Sequence, residues 1–352
     1  MSWRRVVGLA LSVAAVAAFG TAAPAPAATR RLSVVQLGDS IASGEGTLYG
    51  YRYDTKAQTW TGGNLNVTWP GPYPDCHVSP DAYGDVVARG LGATFTTFAC
   101  TGASYANGII APETDTGLLG TTTLRPAQFG DWANATELNA AYDAAAPDLV
   151  LLTLGADDLH FVAVVKDCVE NALATSVGLE TLRCTATNPG PTITTDAQDH
   201  LGPLGAHLAT LLGALRARGE AAHRVPKIVV TTYHDPLPNL STRRCPDIDL
   251  LQPSQVAYLS TLVSAINAEI RTAVAGAHLP GVALADTSTA MTGADGTDHR
   301  WCRAQPWAYG LSIFKITEPS SLLSQAPFHP TAAGQRRYAA LVLPVARRLV
   351  GG

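Results

Sequence analysis

Apolar residues in this chain fall into short runs, separated by stretches with helical spacing. Leu32 to Leu37 is an apolar run that stops at Gly38-Asp39-Ser40, the pattern of a buried parallel strand ending in a turn. Ala93 to Phe98 alternates like a second strand. Asp148 to Leu154 has an almost continuous apolar core and predicts a third. Lys227 to Thr232 and Val282 to Ala285 predict a fourth and a fifth. Between them lie helical patterns. Asp81 to Gly90 places Ala82, Val86, Val87 and Leu91 on one side, and Thr136 to Ala145 is Ala-rich and stopped by Pro147. Leu204, Leu208, Leu211, Leu212 and Leu215 mark one amphipathic helix; Val256, Leu259, Leu262, Val263, Ile266 and Ile270 mark another. Thr331 to Leu349 reads as a closing helix.

Strands alternating with helices imply right-handed crossovers and a parallel sheet. The expected architecture is a single three-layer α/β/α domain with a central, mostly parallel five-stranded sheet. No internal repeat or interdomain linker interrupts it. Two loop insertions are expected. Residues 47–80 read as irregular and rich in Gly, Pro and aromatics, including Tyr49, Tyr51, Tyr53, Trp60, Trp69 and Tyr73. They suit either an aromatic wall beside a site or a surface loop packed on its own rings. Residues 166–200 are polar and poorly periodic, and read as an excursion from the domain.

Composition narrows the class. The chain has 352 residues, 47% hydrophobic and 15% charged, enough to bury a large core. Its formal charge of −4 suggests no nucleic-acid partner. Arg4 and Arg5 precede an apolar segment, Val6 to Phe19, and small residues follow through Ala25-Pro26-Ala27. That is the pattern of a secretory signal. Residues 1–28 are therefore expected to be a signal peptide and residues 29–352 the exported domain, a secreted monomer. No second stretch is long enough to cross a bilayer. Cys76, Cys100, Cys168, Cys184, Cys245 and Cys302 in an exported chain suggest disulfides. Six cysteines allow fifteen pairings. Sequential pairing closes three local loops and leaves the sheet uncrossed. No close C-x-x-C pair occurs, so no zinc, other metal or cofactor is expected.

Chemistry concentrates at predicted strand ends. Ser40, Gly102 and Asp157 each follow a strand, and open α/β sheets bind ligands along that carboxyl edge. Gly44 and Gly46 leave little bulk around Ser40. His329 comes late, in Phe328-His329-Pro330-Thr331, with Thr331 placed to cap the last helix. His234-Asp235 reads as a turn before Pro236, and Trp301 as a packed loop anchor.

Four blocks in this order, GDSIASGEG, ACTGAS, LTLGADDLHF and FHPTAAG, resemble those of the GDSL, or SGNH, hydrolases. The likeness is greatest to secreted actinobacterial-type lipases and esterases with three disulfides, and it spans nearly the whole mature chain. The resemblance implies a flavodoxin-like SGNH fold and the pairs Cys76–Cys100, Cys168–Cys184 and Cys245–Cys302. It implies that Ser40 is a nucleophile with His329 as its general base. It also implies that the backbone N–H groups of Ser40 and Gly102 form two donors of an oxyanion hole. The third donor of the family is an Asn, and here that position is Asp157. An ionised carboxylate donates nothing and repels a developing oxyanion. Three outcomes stay open: Asp157 held protonated, Asp157 turned toward His329, or a weakened or retired hydrolase. Many family members carry Asp three residues before the His, where this chain has Ala326. Its backbone carbonyl is the expected orienter of the ring, with Asp235, Asp286 and Asp298 as alternatives.

The expected function is hydrolysis of carboxylic esters, of a lipid or an acylated carbohydrate, through an acyl-enzyme. The competing expectation is a catalytically weakened or inactive protein on the same fold that binds carbohydrate or lipid.

Overall fold

A computed structural model describes residues 30–64, 67–70, 73–116, 122–125, 128, 147–176, 184, 193–238, 251–311 and 326–351. Arg31–Gly352 form one compact unit, and Met1–Arg30 another. All of the second but Arg30 lies outside the described residues, and with it the expected signal peptide.

The centre is a five-stranded sheet of β1 (Ser33–Gly38), β4 (Thr94–Thr97), β7 (Leu149–Thr153), β8 (Lys227–Thr231) and β9 (Val282–Ala285). Its spatial order is β4-β1-β7-β8-β9, and every pairing is parallel. Every residue of β1 and β7 is buried, as in a sheet covered on both faces. The helices supply that cover. α2 (Tyr83–Leu91) packs with α6 (Ala332–Val350); α4 (Ile193–Ala221) packs with α5 (Pro253–Ala277) and with α3 (Phe161–Ser176). Leu151, Leu152, Leu208, Leu259 and Ile270 are fully buried in this core. Truncating any one of them to Ala removes roughly 2–5 kcal/mol.

Local chemistry sets the helix ends. Gln252 starts α5 with a capping box shared with Gln255, ahead of Pro253 in the first turn. Thr331 caps α6, its hydroxyl accepting from Gly334 N–H at 3.3 Å.

The five expected strands and their order of use are observed. Two expectations need correction. Residues 47–80 are not structureless: β2 (Tyr51–Asp54) and β3 (Thr59–Gly62) form an antiparallel hairpin. A 3-10 turn, Pro74–Cys76, follows it. The excursion around Cys168–Thr195 is helical at both margins, because α3 runs on through Cys168 to Ser176 and α4 already begins at Ile193. A second hairpin, β5 (Glu113–Thr116) with β6 (Thr122–Arg125), was not expected. Thr136 to Ala145 lies outside the described residues. Cys76–Cys100 and Cys168–Cys184 are bonded as expected. Cys245 lies outside the described residues, so the third pair is not described.

Candidate active site

Ser40 is placed by the end of β1. Gly38 has φ +137°, and a Cβ there would lie 2.1 Å from the Thr153 carbonyl oxygen. Only glycine lets β1 and β7 approach this closely while the chain turns. Gln128 grips the same residue, accepting from Gly38 N–H at 2.8 Å and donating to its carbonyl at 2.9 Å. Asp39 then caps the one-turn helix α1 (Ser40–Ser43), its Oδ1 accepting from Ile41 N–H at 3.0 Å. Ser40 is thus the first helical residue. Asp39 is fully buried, and burial pushes its carboxyl up to about 7. Hydrogen bonds from Tyr233 Oη and the Ile41 and Ala42 amides work against that rise.

His329 arrives from the other end of the chain. Its Nε2 lies 2.7 Å from Ser40 Oγ. Phe328, just before it, has φ +69°, a strained state for a bulky side chain that its surroundings must enforce. They do so at several points. Phe328 N–H donates to the Tyr309 carbonyl at 2.9 Å. Its ring packs on Trp301 at 4.8 Å and on Phe161 at 5.5 Å. Its carbonyl lies 2.8 Å from His234 Nε2. That oxygen can only accept, so His234 carries its proton on Nε2. Its Nδ1 then accepts from Tyr338 Oη at 2.7 Å. Burial pushes the His234 pKa down to about 4, keeping the ring neutral. Gly46 makes room: a Cβ there would meet His329 Cβ at 3.1 Å and Tyr309 Cε2 at 3.2 Å.

The second loop is pinned to the first. Cys100 N–H donates to the Gly38 carbonyl at 3.0 Å, Thr101 N–H to the Cys76 carbonyl at 3.3 Å, and Cys76 is bonded to Cys100. Gly102 follows directly. The third loop is tied in through Tyr233, whose Oη accepts from Ala156 N–H at 3.1 Å and donates to Asp39. Asp157 sits next to Ala156, and its carbonyl accepts from His160 N–H at 3.1 Å. Asp158 accepts from Tyr105 N–H at 3.1 Å; burial raises its pKa.

The sequence matches the model of the GDSL-like Lipase/Acylhydrolase family over residues 37–337. The chain belongs to that family. It is therefore a carboxylic ester hydrolase by family. No curated protein sequence matches it. Among solved structures, phospholipase A1 from Streptomyces albidoflavus NA297 is 21% identical with a TM-score of 0.50, over 91% of this chain and 99% of that one. The extracellular lipase of Streptomyces rimosus is 20% identical with a TM-score of 0.48, over 90% and 99%. A carbohydrate esterase family 2 enzyme of Corynascus thermopiles is 16% identical with a TM-score of 0.44, over 94% and 69%. The likeness to the phospholipase structure is one of fold.

In this GDSL-family chain, Ala326 was expected to orient His329 through its backbone carbonyl. The Ala326 carbonyl accepts the backbone N–H of His329 at 3.0 Å, and the buried Nδ1 has no hydrogen-bond partner among the described residues. The aspartates offered as alternatives are engaged elsewhere. Asp235 bonds Ser260, Asp286 bonds Arg271 and Ser288, and Asp298 bonds Arg300 and Arg303. Trp301 is the packed anchor it was expected to be, fully buried. His234 was read as a plain turn residue and instead supports the backbone of Phe328. Its signal was there only as a histidine at a strand end.

Glu45 also escaped notice, though it stands inside the first block. It is completely buried. One oxygen lies 3.0 Å from His77 Nδ1 and 3.2 Å from Tyr49 Oη; the other accepts from Thr101 Oγ1 and lies 3.8 Å from His329 Nε2. Burial opposes its ionisation, yet His329, His77 and Thr101 together hold its carboxyl below the usual range.

The aromatic insert packs largely on its own rings. Trp60 and Trp69 are buried in a small core with Tyr49 and Tyr309. Trp60 lies 4.6 Å from Tyr309, and Trp69 meets Tyr49 edge-on at 5.6 Å. The outer face of this core lines an open cavity of about 420 Å³ with Tyr51, Tyr53, Trp307 and Thr331. No helix among the described residues is long and apolar enough to cross a membrane.

Proposed function

We propose that the protein is a secreted serine esterase or lipase that cleaves carboxylic esters through an acyl-enzyme on Ser40. The observation that carries this reading is the 2.7 Å approach of His329 Nε2 to Ser40 Oγ. A hydroxyl is a poor nucleophile until a base takes its proton. With the proton of His329 on Nδ1, Nε2 takes the Ser40 proton as Oγ bonds to the ester carbon. The tetrahedral intermediate collapses as the carbon–oxygen bond to the leaving alkoxide breaks, and Nε2 returns the proton to that oxygen. Water then attacks the acyl-enzyme, with His329 taking its proton and passing it to Ser40 as the acid leaves.

The N–H groups of Ser40 and Gly102 serve as oxyanion donors. Asp157 occupies the place of the family's third donor, and its ionised form withholds that donor, so turnover is weakened but present. Residues 1–28 act as a signal peptide and residues 29–352 as the exported monomer. The aromatic-walled cavity suits the non-reacting part of a lipid or acylated carbohydrate ester.

Purified protein should cleave short and medium p-nitrophenyl esters, and a phosphonate should add covalently to Ser40. Ser40→Ala should abolish both. Equal activity in the two proteins would reject the mechanism. Activity absent from both, across pH and chain length, would favour the second reading, a lipid- or carbohydrate-binding protein, which Asp157 motivates.

A further inference from the structure

We infer that Glu45 is a positioning residue that supplies the charge opposite His329, a role resting on the Ser40–His329 reading above. No carboxylate meets His329 on its Nδ1 side among the described residues, and Ala326 stands where many relatives carry Asp. The acid lies on the other edge of the ring. Glu45 Oε2 is 3.8 Å from His329 Nε2, within ion-pair range and too far for a hydrogen bond. The carboxylate is fully shielded from water, so its field on the imidazole is weakly screened.

Three features make this more than proximity. First, Glu45 is ionised despite burial, held so by donors from three separate segments: Tyr49, His77 and Thr101. A buried charge is a poor device for stability alone. Second, Thr101 immediately precedes Gly102, so the same carboxylate fixes the proposed oxyanion loop relative to the nucleophile turn. Third, His77 is itself fixed, stacked on Trp69 at 4.8 Å, so the carboxylate has little freedom to turn toward Ser40. It stays an electrostatic partner and does not compete for the proton that Nε2 receives. When Nε2 takes the Ser40 proton, the imidazolium forms beside a negative charge already in place, which lowers the barrier without reorganisation. The charged and titratable groups around the pair are Ser40, His77, Tyr49 and His234. His234 is neutral and disfavours the imidazolium only as a cation.

The test is Glu45→Gln, which keeps size, removes the charge and turns one of the two acceptor oxygens into an amide donor. Ester hydrolysis should show kcat down ten- to a hundredfold, KM within about twofold, and the acid limb of kcat/KM about one pH unit lower, since an adjacent opposite charge raises a histidine pKa. NMR titration of the His329 ring should show the same downward shift, read without turnover. If Glu45→Gln does not fold, Glu45→Asp, which withdraws the charge by one methylene, should shift the midpoint down by a smaller amount. An unmoved His329 midpoint in a folded variant overturns the inference, and so does a loss of kcat with an unchanged pH profile. If wild-type protein shows no Ser40-dependent cleavage, the esterase reading fails, while the NMR midpoint still decides the pairing of Glu45 with His329.

Discussion

Tyr233→Phe removes a single buried hydroxyl and leaves the ring packing intact. That hydroxyl does two jobs: it donates to Asp39, the cap of the nucleophile turn, and accepts from Ala156 N–H at 3.1 Å. Its loss orphans a buried amide, at about 1–3 kcal/mol, and takes a charge-assisted bond from a buried carboxylate, at about 1.5–3 kcal/mol. The expected destabilisation is about 3–5 kcal/mol when Asp39 is ionised. The Tyr233 bond favours the charged form of Asp39, whose pKa stands at about 7. The deficit should therefore grow as the pH rises through 7 and shrink at pH 5.5, where Asp39 holds its proton. Urea denaturation followed by circular dichroism at pH 5.5 and pH 8 measures both values. Ester turnover should fall as well, because the tie between the Ser40 turn and the Ala156-Asp157 loop is cut. A loss below about 1 kcal/mol at pH 8, or a larger loss at pH 5.5 than at pH 8, would refute this account of Tyr233.

Two further outcomes are expected. Asp157→Asn should restore a third oxyanion donor and raise kcat at least tenfold, since one such donor is worth roughly 3–4 kcal/mol at the transition state. A fall in kcat would instead give Asp157 a positive role. Asp39 has a folded pKa raised from 3.8 to about 7, so between those values the folded state holds a proton that the unfolded state has lost. Its contribution to stability is full below pH 4 and declines up to pH 7. Asp39→Asn should abolish that decline when unfolding free energy is compared with wild type across the window.

The sheet was legible because its central strands β1, β7 and β8 are buried on both faces. Such strands read as largely apolar runs, most clearly in β7. Ser40 was legible for a related reason: a strand that stops at Gly-Asp-Ser must deliver the serine to the sheet edge. The hairpin of β2 and β3 was hidden because Tyr51 and Trp60 pack against Tyr309, a residue far along the chain, and Tyr53 packs on Trp60. No local pattern records such a partner. The group that orients His329 was not legible as a side chain, because Ala326 stands at the position where the resembled family carries Asp. The Ala326 carbonyl accepts the backbone N–H of His329, closing the turn in which Phe328 takes its positive φ. His234 and Tyr233 were unreadable because their roles depend on Tyr338, Phe328 and Asp39, which only the folded sheet edge brings to them.

Two buried carboxyls therefore flank Ser40 in sequence, one residue before it and five after, and their surroundings drive them apart. Asp39 faces burial, its largest influence, and the charge of Asp158, with Tyr233 and two amides in partial relief. Its carboxyl rises. Glu45 is as deeply buried but meets two histidines and two hydroxyls, and its carboxyl falls. A split of this kind assigns different work to chemically similar groups. Asp39, which can shed its charge near neutral pH, serves as a structural cap that both of its protonation states can satisfy. Glu45, its carboxyl held below the usual range by His329, His77 and Thr101, keeps a negative charge beside His329. One ionised carboxylate set against one imidazole is the charge arrangement that a serine and a histidine need when, among the described residues, no acid stands behind the ring.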